Sequence, residues 1–160
     1  MKQLDIHTTI KIYSPDELSA EEQQLVEAAK EATTRSYAPY SHFHVGAAAL
    51  LANGEIISGT NQENAAYPSG ICAERTTLFY ANSQHPQQAV KALAIAARTS
   101  EGHWTETPIS PCGACRQVMT ETENRFGKPM KVLLCSAQEV FVIESAKDLL
   151  PVSFGSEDLK

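Results

Sequence analysis

No run of apolar residues in this chain approaches the roughly 18 needed to cross a bilayer, so no membrane span is expected. The amino end, Met1-Lys2-Gln3-Leu4-Asp5-Ile6-His7, has no long apolar stretch and no small-residue cleavage site, which argues against a secretory leader. The cytoplasm is the expected compartment. Positive charge is scarce: 13 Lys and Arg stand against 19 Asp and Glu, a formal net charge of −6. A phosphate backbone repels such a chain, so nucleic acid is not expected as the main partner. No internal repeat and no low-complexity segment stands out.

What is present is the composition of a globular protein. The 160 residues are 42% apolar and 20% charged. That suffices for one domain over 1–160, burying about two-thirds of the unfolded chain's surface. Residues 3–13 alternate, with Leu4, Ile6, Ile10 and Ile12 on one side, and predict a strand. Ser19 with Glu22 forms a capping box. It opens a helix through about Arg35 that buries Leu25, Val26, Ala29 and Ala32. Val45 to Ala52, the turn signal Asn53-Gly54 and the return segment 55–59 predict a hairpin. A polar loop over 61–71 leads into a helix over 72–82. Strands are predicted over 91–98, 130–136 and 139–143, with a helix over 113–124. This order implies an α/β fold, a three-layer α/β/α sandwich around a mixed five-stranded sheet. Residues 1–18 read as an N-terminal extension that adds an edge strand or a subunit contact.

Four cysteines in a chain of this kind are better read as metal ligands or core residues than as disulfides. Cys112-Gly-Ala-Cys115, preceded by Pro111, is a CxxC that alone is a weak signal, open to a redox pair, half a zinc knuckle or neither. Cys72, in Cys72-Ala-Glu-Arg75, makes the set specific. A Cys-x-Glu at one helix start and a Pro-Cys-x-x-Cys at another is the arrangement of zinc-dependent base deaminases, whose glutamate is not a ligand. Three protein ligands leave zinc an open position, as catalysis requires, whereas a structural site closes with four. Cys135, in Val-Leu-Leu-Cys-Ser, reads as a buried small hydrophobe. Zinc with three thiolates carries a net negative charge, which works against ionising a bound water. Arg75 is placed to draw charge off the sulfurs; the plainer reading makes it a solvated helix residue. Acidic residues gather in first helical turns for dipole reasons alone. The position of Glu74 two after Cys72 instead marks it as the proton carrier.

Several strings resemble the small homotetrameric cytidine deaminases. They are Ser36-Tyr-Ala-Pro-Tyr-Ser-His-Phe43, Val45-Gly-Ala-Ala, Asn61-Gln-Glu-Asn-Ala-Ala-Tyr67, Cys72-Ala-Glu-Arg-Thr76, Ser110-Pro-Cys-Gly-Ala-Cys-Arg-Gln117, and Leu149-Leu-Pro151 with Ser156-Glu-Asp-Leu159. The resemblance covers about residues 25–159. It implies a zinc enzyme of pyrimidine salvage, with Cys72, Cys112 and Cys115 on the metal and Glu74 and Arg75 as catalytic residues. Its substrates would be free cytidine and 2′-deoxycytidine, converted to the uridines and ammonia. It further implies that Asn61 and Glu63 hold the ribose 3′-hydroxyl and that Phe43 lines the pocket. The Ala73 amide would bind the base O2, and the Ser110 carbonyl would accept from the amino group. Phe154 would stack on the base of a neighbouring subunit, so a homotetramer with shared sites is implied. The stretch Pro68-Ser-Gly-Ile71 has no such counterpart and leaves preference among pyrimidine nucleosides open.

Two other classes fit less well. A nucleic-acid-editing deaminase usually carries His-x-Glu, and the net charge of −6 speaks against it. A structural zinc module leaves Glu74 and the open coordination position without a purpose.

Overall fold

The computed structural model describes all residues from Met1 to Lys160. The strands are β1 (Lys11–Tyr13), β2 (Phe43–Leu51), β3 (Ile56–Thr60), β4 (Val90–Thr99), β5 (Lys131–Cys135) and β6 (Val140–Ile143). The helices are α1 (Ala20–Ala32), α2 (Ala73–Gln84) and α3 (Gly113–Phe126). The strands form one sheet in the order β1-β6-β5-β4-β2-β3. Only β4 and β5 run parallel, joined by the α3 crossover; the other neighbours are antiparallel.

Alternation along the strands divides the core in two. Ala47, Ala49, Leu51, Leu93, Ile95, Val132 and Leu134 point toward α2 and α3, where Ala73, Leu78 and Met119 meet them. Ala48, Leu50, Ala92, Ala94, Leu133 and Cys135 point the other way, onto Leu25, Val26 and Ala29 of α1. The result is the expected three layers. The many alanines let helices approach closely, and two glycines allow the tightest contacts. A Cβ on Gly46 would lie 2.1 Å from the Ala29 carbonyl oxygen, and one on Gly59 would lie 2.9 Å from the Thr77 amide. Gly59 thus seats α2, the helix that begins beside Cys72, against β3.

The sheet has six strands where five were expected. The sixth is β1, which pairs antiparallel with β6 through Lys11↔Val142 and Tyr13↔Val140. It covers the unpaired backbone groups of a four-residue strand, and Lys11 reaches Glu144 at 2.8 Å. The predicted strand over 3–13 shrinks to these three residues. Residues 1–10 carry no regular structure, and Leu4, Ile6 and Ile10 are exposed. Their alternation finds no strand to pair with. The capping box at Ser19 is present, with the Glu22 amide donating to its Oγ at 3.3 Å and Glu22 Oε2 accepting from its amide at 3.0 Å. The predicted helix to Arg35 ends at Ala32, followed by a 3-10 turn over Thr33–Arg35.

Candidate metal centre and substrate cleft

Cys72 immediately precedes α2 and Cys112 immediately precedes α3, both in extended backbone; Cys115 lies in the first turn of α3. Each helix start offers amides without intrahelical partners and the positive end of a dipole, which stabilises thiolates gathered there. The three Sγ atoms lie within 4.8 Å of one another. Cys72 to Cys112 is 3.8 Å and Cys112 to Cys115 is 3.4 Å. Sulfurs about 2.3 Å from one tetrahedral zinc stand roughly 3.8 Å apart, so this donor set fits the ion. Cys135 stays on the far side of the sheet, where burial pushes its thiol up to about 12.

The charges around the sulfurs are arranged. Arg75 Nη2 donates to Cys72 Sγ at 3.7 Å, so Arg75 is turned to the metal site and not to solvent. Hydrogen bonding from Cys115, helped by Arg75 against the cost of burial, pulls the Cys72 thiol down to about 5. Glu74 is 4% exposed. Burial pushes its carboxyl above the usual range, and charge at Cys72 adds to the shift, so it keeps a proton to higher pH than an exposed glutamate.

Cys72, Glu74, Arg75 and Cys112 form one wall of a cleft of about 730 Å³, a size suited to a small molecule. Ala73, Ser110 and Phe43 also line it. A second wall is the loop after β3, carrying Asn61 and Glu63. The side chain of Asn61 is woven into the backbone. Its Oδ1 accepts from Val45 N at 2.9 Å and from Ser36 Oγ at 2.6 Å, and its Nδ2 donates to the Phe43 carbonyl at 2.9 Å. One amide proton is left over. The Glu63 carboxylate accepts from the Tyr40 amide at 2.9 Å, from the Ser41 amide at 3.3 Å and from the Ser41 hydroxyl. These bonds, that of the Ser41 hydroxyl foremost, hold its carboxyl below the usual range. Gln62 and Ile71 exchange backbone bonds of 2.9 Å, closing the loop directly before Cys72.

Residues 19–126 match the family model described as the cytidine and deoxycytidylate deaminase zinc-binding region. A cytidine deaminase of Halalkalibacterium halodurans is 42% identical over 137 residues, covering 86% of this chain and 96% of that protein. The chain belongs to the cytidine deaminase family. It is accordingly an enzyme, and zinc is its metal. Among solved structures, the cytidine deaminase of Burkholderia pseudomallei matches with a TM-score of 0.69 at 46% identity, over 82% of this chain and 97% of that one. The cytidine deaminase of Mycobacterium tuberculosis matches at 0.66 and 31% identity, over 86% and 99%.

Against this family background, the residues singled out in the sequence fall into two groups. Phe43, Asn61, Glu63, Ala73, Glu74, Arg75 and Ser110 all line the cleft with two of the cysteines, and Cys115 completes the cluster. Phe154 does not line it. The residue is 59% exposed, and its backbone carbonyl accepts from Gln117 Nε2 at 2.9 Å. Pro68, Gly70 and Ile71, unmatched in the sequence, are part of the lining. Tyr40 and Ser41, to which the sequence assigned no role of their own, donate their amides to Glu63. A sequence carries no signal for a bond that closes over 23 residues. No helix is long and apolar enough to cross a membrane.

Proposed function

We propose that the chain hydrolyses cytidine and 2′-deoxycytidine to uridine and 2′-deoxyuridine with release of ammonia, a step of pyrimidine salvage in the cytoplasm, with residues 1–160 acting as one domain. The observation that carries this reading is the buried carboxyl of Glu74 beside three clustered thiols, in a cleft also lined by polar side chains held by backbone bonds. Cys72, Cys112 and Cys115 hold the metal. Zinc in that position supplies a water that ionises near neutral pH.

The chain's own residues do the rest. Protonated Glu74 donates to N3 of the ring, which makes C4 electrophilic. Its carboxylate then takes one proton from the attacking water and passes it to the amine; as ammonia leaves, the remaining hydroxyl proton returns to Glu74, which forms the 4-oxo group and restores the acid. Arg75 withdraws charge from Cys72 sulfur, which favours ionisation of the water. The Ala73 amide, free in the first turn of α2, binds O2 of the base, and the Ser110 carbonyl accepts from the 4-amino group. At the sugar, the spare Asn61 amide proton donates to the 3′-hydroxyl and Glu63 accepts from it. Phe43 packs against the pocket wall.

A free nucleoside suits the charges. Arg75 is the only basic residue lining the cleft, and it is committed to Cys72. Nothing basic remains for a phosphate, and Glu63 repels one. Phe154, exposed and absent from the lining of its own cleft, is read as serving the site of a neighbouring subunit in a homotetramer. The test is metal analysis with an ammonia-release assay. We expect one zinc per chain, turnover of cytidine and 2′-deoxycytidine, and little with cytidine 5′-monophosphate or single-stranded DNA. No ammonia from cytidine in a zinc-loaded protein overturns the proposal.

A further inference from the structure

The segment leading to the metal site is held by very little. Residues 106–111 lie outside every helix and strand and make no backbone–backbone hydrogen bond. Their one hydrogen bond of any kind comes from Arg116, whose Nε donates to the Pro111 carbonyl at 2.9 Å. Ile109 adds apolar contact with the core. Pro108 and Pro111 restrict the backbone but supply no donor. Yet this segment carries Ser110 into the cleft and sets the approach of Cys112.

Arg116 is itself anchored. Its Nη1 donates to the Leu149 carbonyl at 2.9 Å. Leu149 closes a 3-10 turn, Ala146–Leu149, whose start is fixed by buried Glu123. Glu123 accepts from Ser145 Oγ at 2.7 Å and from the Ala146 amide at 2.8 Å. Both Arg116 and Glu123 stand on α3, the helix that begins at the metal. The guanidinium therefore spans two carbonyls on separate segments, one of them next to a thiol ligand. A planar fork with several donors can do this, and a lysine ammonium on a single flexible stem does it less well.

We infer that Arg116 is a positioning residue: by bridging the Pro111 and Leu149 carbonyls it sets the Ser110 carbonyl at the distance and angle that distinguish a 4-amino group from a 4-oxo group. This rests on the proposed reading that Ser110 accepts from the substrate's amino group. A cytosine presents a donor there and a uracil presents an acceptor, so a correctly placed carbonyl attracts one and repels the other. A carbonyl left to drift loses that discrimination without loss of zinc.

The test uses zinc-loaded full-length protein. Binding of cytidine and of uridine is measured by calorimetry in a Glu74→Gln background, where cytidine is not consumed, with and without Arg116→Gln. The charge-assisted bonds lost predict cytidine binding weaker by roughly ten- to a hundredfold, with uridine affected far less. Arg116→Lys should recover part of the preference. In parallel, cleavage after Glu106 by a glutamate-specific protease reads the anchor without any substrate, and should be about tenfold faster in Arg116→Gln. An equal loss for both nucleosides, or an unchanged preference, overturns the inference. Faster cleavage in Arg116→Gln, together with a parent protein that binds no cytidine, shows instead that the functional reading has failed while the anchor stands. Unchanged cleavage with both variants folded removes the anchor itself.

Discussion

The two walls of the cleft solve opposite problems. On the helix wall, Glu74 and the cysteines stand at helix starts with few protein partners, so their protons and lone pairs stay available for chemistry. On the loop wall, Asn61 and Glu63 have most of their bonding capacity committed to backbone groups and serine hydroxyls, and a small remainder is left for a ligand. The helix wall is rigid because helices pack on the sheet. The loop wall is rigid because the binding side chains themselves stitch it together. Substitutions should therefore separate activity from stability on the first wall and fuse them on the second.

Glu74→Gln is the sharpest way to test that separation. The amide keeps the shape and removes the proton carrier. The rate should fall by about 10²–10⁴-fold or more, with zinc content unchanged and stability unchanged or slightly higher, since a buried carboxyl is lost. Stopped-assay kinetics and thermal melting read the two effects. A Gln variant within tenfold of the parent breaks the comparison.

Asn61→Ala should show the opposite pattern. Three bonds vanish at once, to Val45, Ser36 and Phe43. A loss of about 1–3 kcal/mol is expected, at roughly 2–4 °C in Tm for each kcal/mol, together with a raised KM. A variant that loses substrate affinity with an unchanged melt contradicts the idea that binding and stitching are one.

Arg75→Gln tests the electrostatics of the helix wall. Without the guanidinium, more negative charge stays on Cys72 sulfur, the water ionises less readily, and the rate–pH profile should move to higher pH. On the loop wall the sign is different. The Glu63 carboxyl is held below its ordinary range, so it stays charged as pH falls through that range. Substrate affinity should then persist below pH 4.3, about where an exposed glutamate is half protonated, and disappear only further down. KM measured from pH 7 downward separates the two arms.

The smallest effect belongs outside both walls. Cys135→Ala, on the α1 side of the sheet, should cost about 1 kcal/mol and leave zinc content and rate unchanged. Altered zinc stoichiometry would place Cys135 in the metal site after all.

These contrasts also mark what the sequence could carry. The metal cluster was legible because ligand spacing is local to each helix start, and only the joining of two starts had to be supplied by the fold. The hairpin at Asn53-Gly54 and the alanine-rich strands were legible from turn chemistry and short apolar runs, whereas the division of those strands into two packed faces came with the structure. The long N-terminal strand was not, because alternation shows that a segment can pair and not whether an edge is there to receive it. With β6 only four residues long, just Lys11–Tyr13 found a partner. The stitching of Asn61 and Glu63 and the bridge made by Arg116 were equally invisible. Each joins residues distant in sequence through a single side chain, which no periodicity records.

In the proposed reaction one cleft reads both a 4-amino group and a sugar hydroxyl. The most direct measurement compares kcat/KM for 2′-deoxycytidine and 2′,3′-dideoxycytidine, which differ only in the 3′-hydroxyl. A wall built to bond that hydroxyl leaves Asn61 and Glu63 unpaired when it is missing, so a drop of at least about a hundredfold is predicted. Equal values for the two compounds would contradict the account.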